Sequence, residues 1–166
     1  MYATIGSFLE DWKAESASTL RVLKIMTDAS LAQKVSPEGR TLGVLAWHVV
    51  ITIGEMGGKA GLPISGPPED SQAPAKSAEI VSAYEASSHS LSEQVRKLWN
   101  DRMLMDELSI YGSMWRRVSV LDSIVKHQIH HRGQMTVLLR QAGLPVPGIY
   151  GPAREEWARM GMPPMA

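Results

Sequence analysis

The stretch Val120-Leu121-Asp122-Ser123-Ile124-Val125-Lys126-His127-Gln128-Ile129-His130-His131-Arg132-Gly133-Gln134-Met135-Thr136-Val137-Leu138 has the period of a helix. Stepping by four and three gives Val120, Ile124, His127, His131, Gln134 and Leu138, a single stripe in which imidazoles replace aliphatic side chains. His127 and His131 are four apart, so they stand one turn above each other on that face. Two neighbouring inward positions given to polar rings require something to satisfy them, because an unpaired buried polar group costs roughly 1–3 kcal/mol. A divalent metal is the simplest partner. The stretch therefore predicts a helix that carries half of a metal site.

Three more stretches share this period, and no convincing alternating strand is found among them. Ser7-Phe8-Leu9-Glu10 matches a capping box, and Leu9, Trp12, Ser16, Leu20, Leu23 and Met26 mark one face of a helix over about 7–27. Val35 to Arg40 is a turn, since Pro37 and Gly39 interrupt a helix. A second helix runs from Thr41 to about Met56, with Gly57-Gly58 loosening its end. Gly61 to Pro74 holds four prolines and reads as a long connection. The third helix carries Ile80, Tyr84, Ser87, Leu91, Val95 and Leu98. The fourth begins near Ser119, with Asp122 completing its cap, and stops at Gly143-Leu144-Pro145. Val146 to Ala166 is an irregular tail with one turn of helix at Ala153–Arg159. Four amphipathic helices with one long connection predict an all-α four-helix bundle, a single domain over 1–166.

Composition narrows the function. Lys plus Arg and Asp plus Glu balance at 17 each, so no global field draws the chain to nucleic acid or to a membrane surface. There is no cysteine, which removes disulfides, thiolate ligands and a cysteine nucleophile. No apolar run approaches the roughly 20 residues of a membrane span, and the N-terminus lacks a signal-peptide pattern, so a cytoplasmic location is expected. Nucleotide-binding loops and the elbow-type serine motif are also missing.

A metal site needs at least three protein ligands. His48 is the candidate third, placed mid-helix in Val44-Leu45-Ala46-Trp47-His48-Val49-Val50-Ile51 with Val44, Leu45, Ile51 and Thr52 on its face. Alone, such a histidine is more often a core residue bonded to a neighbour; beside the inward pair it reads as a ligand. Three imidazoles leave coordination positions open, as a catalytic site requires. Such a set suits zinc, nickel, iron or copper. Glu55, two turns beyond His48, is either a fourth ligand, a general base, or a solvated residue at the bundle's end. His130 lies about 100° round the helix from His131, on the flank. His89 has polar neighbours and reads as exposed. Gly133 in mid-helix suggests close approach of another element. Arg132 and Gln134 either anchor an anionic substrate or pair with carboxylates. Trp115, with Met114, Arg116 and Arg117, is placed at the mouth of a pocket lined by Trp47, Trp115 and methionines.

Leu45-Ala46-Trp47-His48, followed by His127-x-x-His130-His131-Arg132-Gly133-Gln134 and Leu138-Leu139-Arg140-x-x-Gly143, resembles the DinB/YfiT-like superfamily. The resemblance covers nearly the whole chain. It implies an up-up-down-down four-helix bundle, commonly a homodimer, holding a divalent metal through three side chains. Matched residue by residue, the metal ligands would be His48, His127 and His131, with His130 on a non-ligand position. Zinc or nickel is the foremost expectation, with iron or manganese after them. Characterised relatives include bacillithiol S-transferases and a mycothiol-dependent isomerase, which implies a low-molecular-weight thiol as cofactor and a small-molecule substrate. The isomerase type carries Glu where His127 stands, so this chain departs from it. The ending Tyr150-Gly151-Pro152-Ala153-Arg154-Glu155-Glu156-Trp157 resembles a subgroup with no substrate attached. The expectation is a metal-dependent transferase or hydrolase; the alternatives are a non-enzymatic metal-binding stress-response protein and a bundle with ordinary core histidines.

Overall fold

The computed structural model describes residues 1–163, so the end of the expected tail, 164–166, lies outside the described residues. Four long helices dominate: α1 (Ile5–Leu23), α2 (Leu42–Lys59), α3 (Ser77–Leu98) and α4 (Arg117–Gln141). Between α3 and α4 stands a hairpin, β1 (Glu107–Ile110) and β2 (Ser113–Arg116), and the tail holds a single-turn helix, α5 (Arg154–Trp157). Both α1 and α2 pack against both α3 and α4, which sets the order round the bundle as α1–α3–α2–α4. Their buried apolar side chains form one contiguous cluster. No described helix is long and apolar enough to cross a membrane.

Capping chemistry sets the helix ends. Thr4, not Ser7, caps α1: its hydroxyl accepts from the Ser7 N–H, and the Ser7 side chain returns a bond to the Thr4 backbone. Thr41 caps α2 by accepting from the Val44 N–H. α2 then continues through Gly57-Gly58 to Lys59, because the connection that follows folds back over it. The Leu62 N–H donates to the Gly57 carbonyl at 2.9 Å, and a β-carbon on Gly57 would stand 2.7 Å from the Ile64 side chain. The close approach expected at Gly133 is therefore found at Gly57. Gly133 is exposed, and a β-carbon there would meet nothing within 4 Å.

The hairpin corrects the expectation of a strandless chain. Its strands are four residues each, too short for alternation to register in a sequence. Tyr111 and Gly112 both take positive φ, at 51° and 73°, as the twist of a two-residue hairpin turn demands. β2 passes directly into α4, whose first N–H, that of Arg117, donates to the Asp106 carbonyl at 3.0 Å. The predicted cap at Ser119 and Asp122 does not form; Asp122 pairs with Lys126 at 2.7 Å instead.

The α1 stripe is also rotated from the predicted one. Ile5, Phe8, Trp12, Glu15, Thr19 and Val22 face inward, while Leu9, Ser16 and Leu20 are half-buried. The cause lies on α4. Arg132, only 2% exposed, donates to the Glu15 carboxylate at 2.6 Å and to the Thr19 hydroxyl at 3.2 Å. A buried guanidinium is tolerated only when paired, and its partner must come from the facing helix. Tyr150 in the tail joins the pair, donating to Glu15 at 2.9 Å and touching the guanidinium.

Candidate metal centre

α2 and α4 are neighbours in the bundle, and the histidines on their facing stripes meet. His48 Nε2 lies 3.1 Å from His127 Nε2, and His131 Nε2 lies 3.1 Å from the same atom. His48, His127 and His131 each offer one nitrogen, all within 4.8 Å of one another. His131 is buried, and the other two are half-buried. The rings stand edge to face, with centroids 4.4–4.8 Å apart.

The other ring nitrogens have partners that suit one tautomer. The Thr52 hydroxyl donates to the His48 carbonyl at 2.7 Å, so its oxygen is the acceptor for His127 Nδ1–H at 3.3 Å. Gln134 turns its amide nitrogen to His130 Nε2 at 3.2 Å and its carbonyl oxygen to His131 Nδ1 at 2.7 Å. Both Nδ1 atoms are thus donors. With the protons on Nδ1, the Nε2 lone pairs of His127 and His131 face each other at 3.1 Å. That contact is repulsive by itself and becomes favourable around a cation. Two nitrogens each about 2.0–2.1 Å from one ion at a tetrahedral angle lie about 3.3–3.4 Å apart, close to the spacing found. Both pairs through His127 match that spacing, and the three histidines form a group that could hold a metal ion.

Electrostatics favour the neutral, ligating form of each ring. Burial, reinforced by the charges of His131, His48 and His130, pushes His127 down to about 4. Burial and His131 lower His48, and burial outweighs the Gln134 hydrogen bond to lower His131.

Two clefts flank the cluster. One, of about 510 Å³, is lined by Arg40, Leu45, His130, His131, Gln134 and Val137, among others. The second, of about 520 Å³, is lined by Arg40, Val44, Trp47, His48, Ile51 and Ser71, among others. Trp47 takes its expected place, held by its Nε1–H donating to the Ser71 carbonyl at 3.0 Å in the α2–α3 connection. Trp115 does not: it packs on Tyr111 within the hairpin and lines neither cleft. Arg117 lies over the Trp99 ring. Among the described residues no methionine lines either cleft; the hairpin carries Trp115 and Met114 away from the site.

His130 is exposed beside His131, as its flank position required. Glu55 stands outside the three-histidine group but is not free in solvent. Its Oε1 accepts from the Tyr111 hydroxyl at 2.6 Å and from Lys59 at 3.1 Å. Burial works to raise its pKa, yet Tyr111 and Lys59 outweigh that and hold the carboxyl below its ordinary value. Arg132 reaches Glu15 rather than a cleft. Sequence reasoning missed the orienting roles of Thr52 and Gln134. Their signal was spacing: Gln134 is one turn beyond His131, and Thr52 one turn beyond His48.

The sequence pattern of the DinB family matches residues 1–164. The chain is 40% identical over 162 residues to the "Uncharacterized protein YrdA" of Bacillus subtilis (strain 168), covering 98% of this chain and 97% of that one. A crystal structure of a DinB-like protein from Bacillus cereus superposes with a TM-score of 0.87 at 39% identity, over 90% of this chain and 100% of that one. The DinB-like YjoA of Bacillus subtilis is similar in fold alone, with a TM-score of 0.66 at 16% identity over 84% and 95% of the two chains.

Proposed function

The chain belongs to the DinB family, and on that footing we propose that it is a divalent-metal enzyme. His48, His127 and His131 are its ligands, and a thiol or a water is activated there for attack on a small electrophile. The observation that carries this is the convergence of three imidazole nitrogens from two helices, with His48 Nε2 and His131 Nε2 each 3.1 Å from His127 Nε2 and all three within 4.8 Å of one another. Zinc or nickel suits three neutral imidazoles. The ion would supply a Lewis acid that makes a thiolate or hydroxide available at neutral pH.

The chain's own residues prepare that chemistry. Thr52 and Gln134 hold two of the rings with Nε2 facing the focus, as orienting partners of metal-bound histidines do. The three depressed pKa values keep the rings unprotonated at neutral pH. Clefts opening on both His131 and His48 leave room for a nucleophile and an electrophile together. That room favours an enzyme, since a catalytic metal site keeps a coordination position open where a structural one is closed by its ligands.

Elemental analysis of the purified protein beside His48→Ala and His127→Ala is the test. About one zinc or nickel per chain, lost from both variants, is the expected result. Metal absent from all three after zinc and nickel are added back would refute the reading.

A further inference from the structure

Arg40 ends the loop before α2 and lines both clefts, so one guanidinium stands where the His131 side and the His48 side of the centre meet. It is exposed, and among the described residues no carboxylate lies within ion-pair distance of it, whereas Arg132, Arg140 and Arg117 each hold one. No Asp or Glu lines either cleft. The walls are otherwise largely apolar, with Leu45 and Val137 on one side and Trp47 and Ile51 on the other.

We propose that Arg40 is the specificity residue of this site and recognises an oxyanionic group, carboxylate or phosphate, on the molecule that reaches the histidine centre. The proposal rests on the reading of the three histidines as a metal centre. A guanidinium presents a planar fork of donors that matches either anion. In a cleft without acidic residues nothing repels the incoming charge, and nothing inside the protein competes for the fork. Apolar walls on both sides fit the aliphatic or aromatic body of the same molecule. The substrate class is therefore an anionic amphiphile, and a neutral molecule of equal size binds less well.

The test uses zinc-loaded protein and ω-mercaptoalkanoates of increasing chain length as probes, each compared by calorimetric titration with its neutral amide. A matching series of mercaptoalkyl phosphonates distinguishes a carboxylate preference from a phosphate-type one. Zinc content is measured on the same samples. The wild type is expected to favour at least one anion over its neutral counterpart by roughly tenfold to a hundredfold, the worth of a charge-assisted hydrogen bond. Arg40→Gln should abolish that preference while leaving amide affinity and zinc content unchanged, and Arg40→Lys should fall between. No anion preference at any chain length, or a preference that survives in Arg40→Gln, overturns the proposal. Wild-type protein that holds neither zinc nor nickel overturns the metal-centre reading itself, and the elemental analysis shows that separately.

Discussion

Replacing Thr52 by Val separates the two states of the centre. The change conserves shape at a residue 5% exposed, so no cavity opens. It removes one acceptor, the oxygen facing His127 Nδ1 at 3.3 Å, and one donor to the His48 carbonyl, whose loss is small because that carbonyl lies within α2. Without metal, His127 can move its proton to Nε2 and donate to His48 Nε2, 3.1 Å away, so little stability is lost. With metal bound at Nε2, the proton must stay on Nδ1 and goes unpaired. An unsatisfied buried donor costs about 1–3 kcal/mol; for a half-buried ring we take about 1.4 kcal/mol, or about tenfold in metal affinity, the lower end for such orienting partners. Competition with a chromophoric chelator measures the affinity, and urea unfolding of metal-free protein measures the stability. Thr52→Ser should restore affinity. Unchanged zinc affinity in Thr52→Val, or an equal loss in the stability of the metal-free protein, would refute the tautomer argument.

Three other outcomes follow from the same contacts. Arg132→Met leaves the Glu15 carboxylate buried without its cation and should cost about 3–5 kcal/mol, a fall of roughly 8–15 °C in melting temperature; a fall of only a degree or two would show the pair to be dispensable. The metal-free protein should weaken as pH falls from about 6.5 towards 4.5, above the carboxylate range. The reason is that His127 is depressed to about 4 in the fold, so the unfolded chain binds more protons there. Discounted for its partial exposure the loss is about 1–2 kcal/mol, and a urea midpoint that ignores pH in this window contradicts it. Gly133→Ala, in open space on the outer face of α4, should stabilise by about 0.5–1 kcal/mol; Gly57→Ala, blocked by Ile64, should destabilise, and thermal melts of the pair check both signs.

Helix periodicity is a local property, and it was legible. Ile80, Tyr84, Ser87, Leu91 and Val95 are buried on α3 as their spacing required, whereas Leu98, the last of that series, is exposed where the helix ends, and Gly143 ends α4 at a φ of 73°. The placing of His127 and His131 on one face needed only the turn of a helix, and His48 joined them because an imidazole amid aliphatic neighbours must face inward. What packing decided lay in pairs far apart in sequence. Glu15 and Arg132 are 117 residues apart, and nothing near either one announces the bond that rotates α1. Tyr111 reaches Glu55 across 56 residues by a hairpin whose strands are too short to show an alternation. Gly133 and Gly57 look alike in a sequence, yet only a neighbouring chain segment distinguishes open space from contact. The sequence alone therefore determined which side chains share a helical face, because that depends on the repeat of one backbone. Tertiary structure decided which faces meet, which partners the histidine ring nitrogens find and where Arg40 stands, because those depend on atoms brought together only when the helices pack.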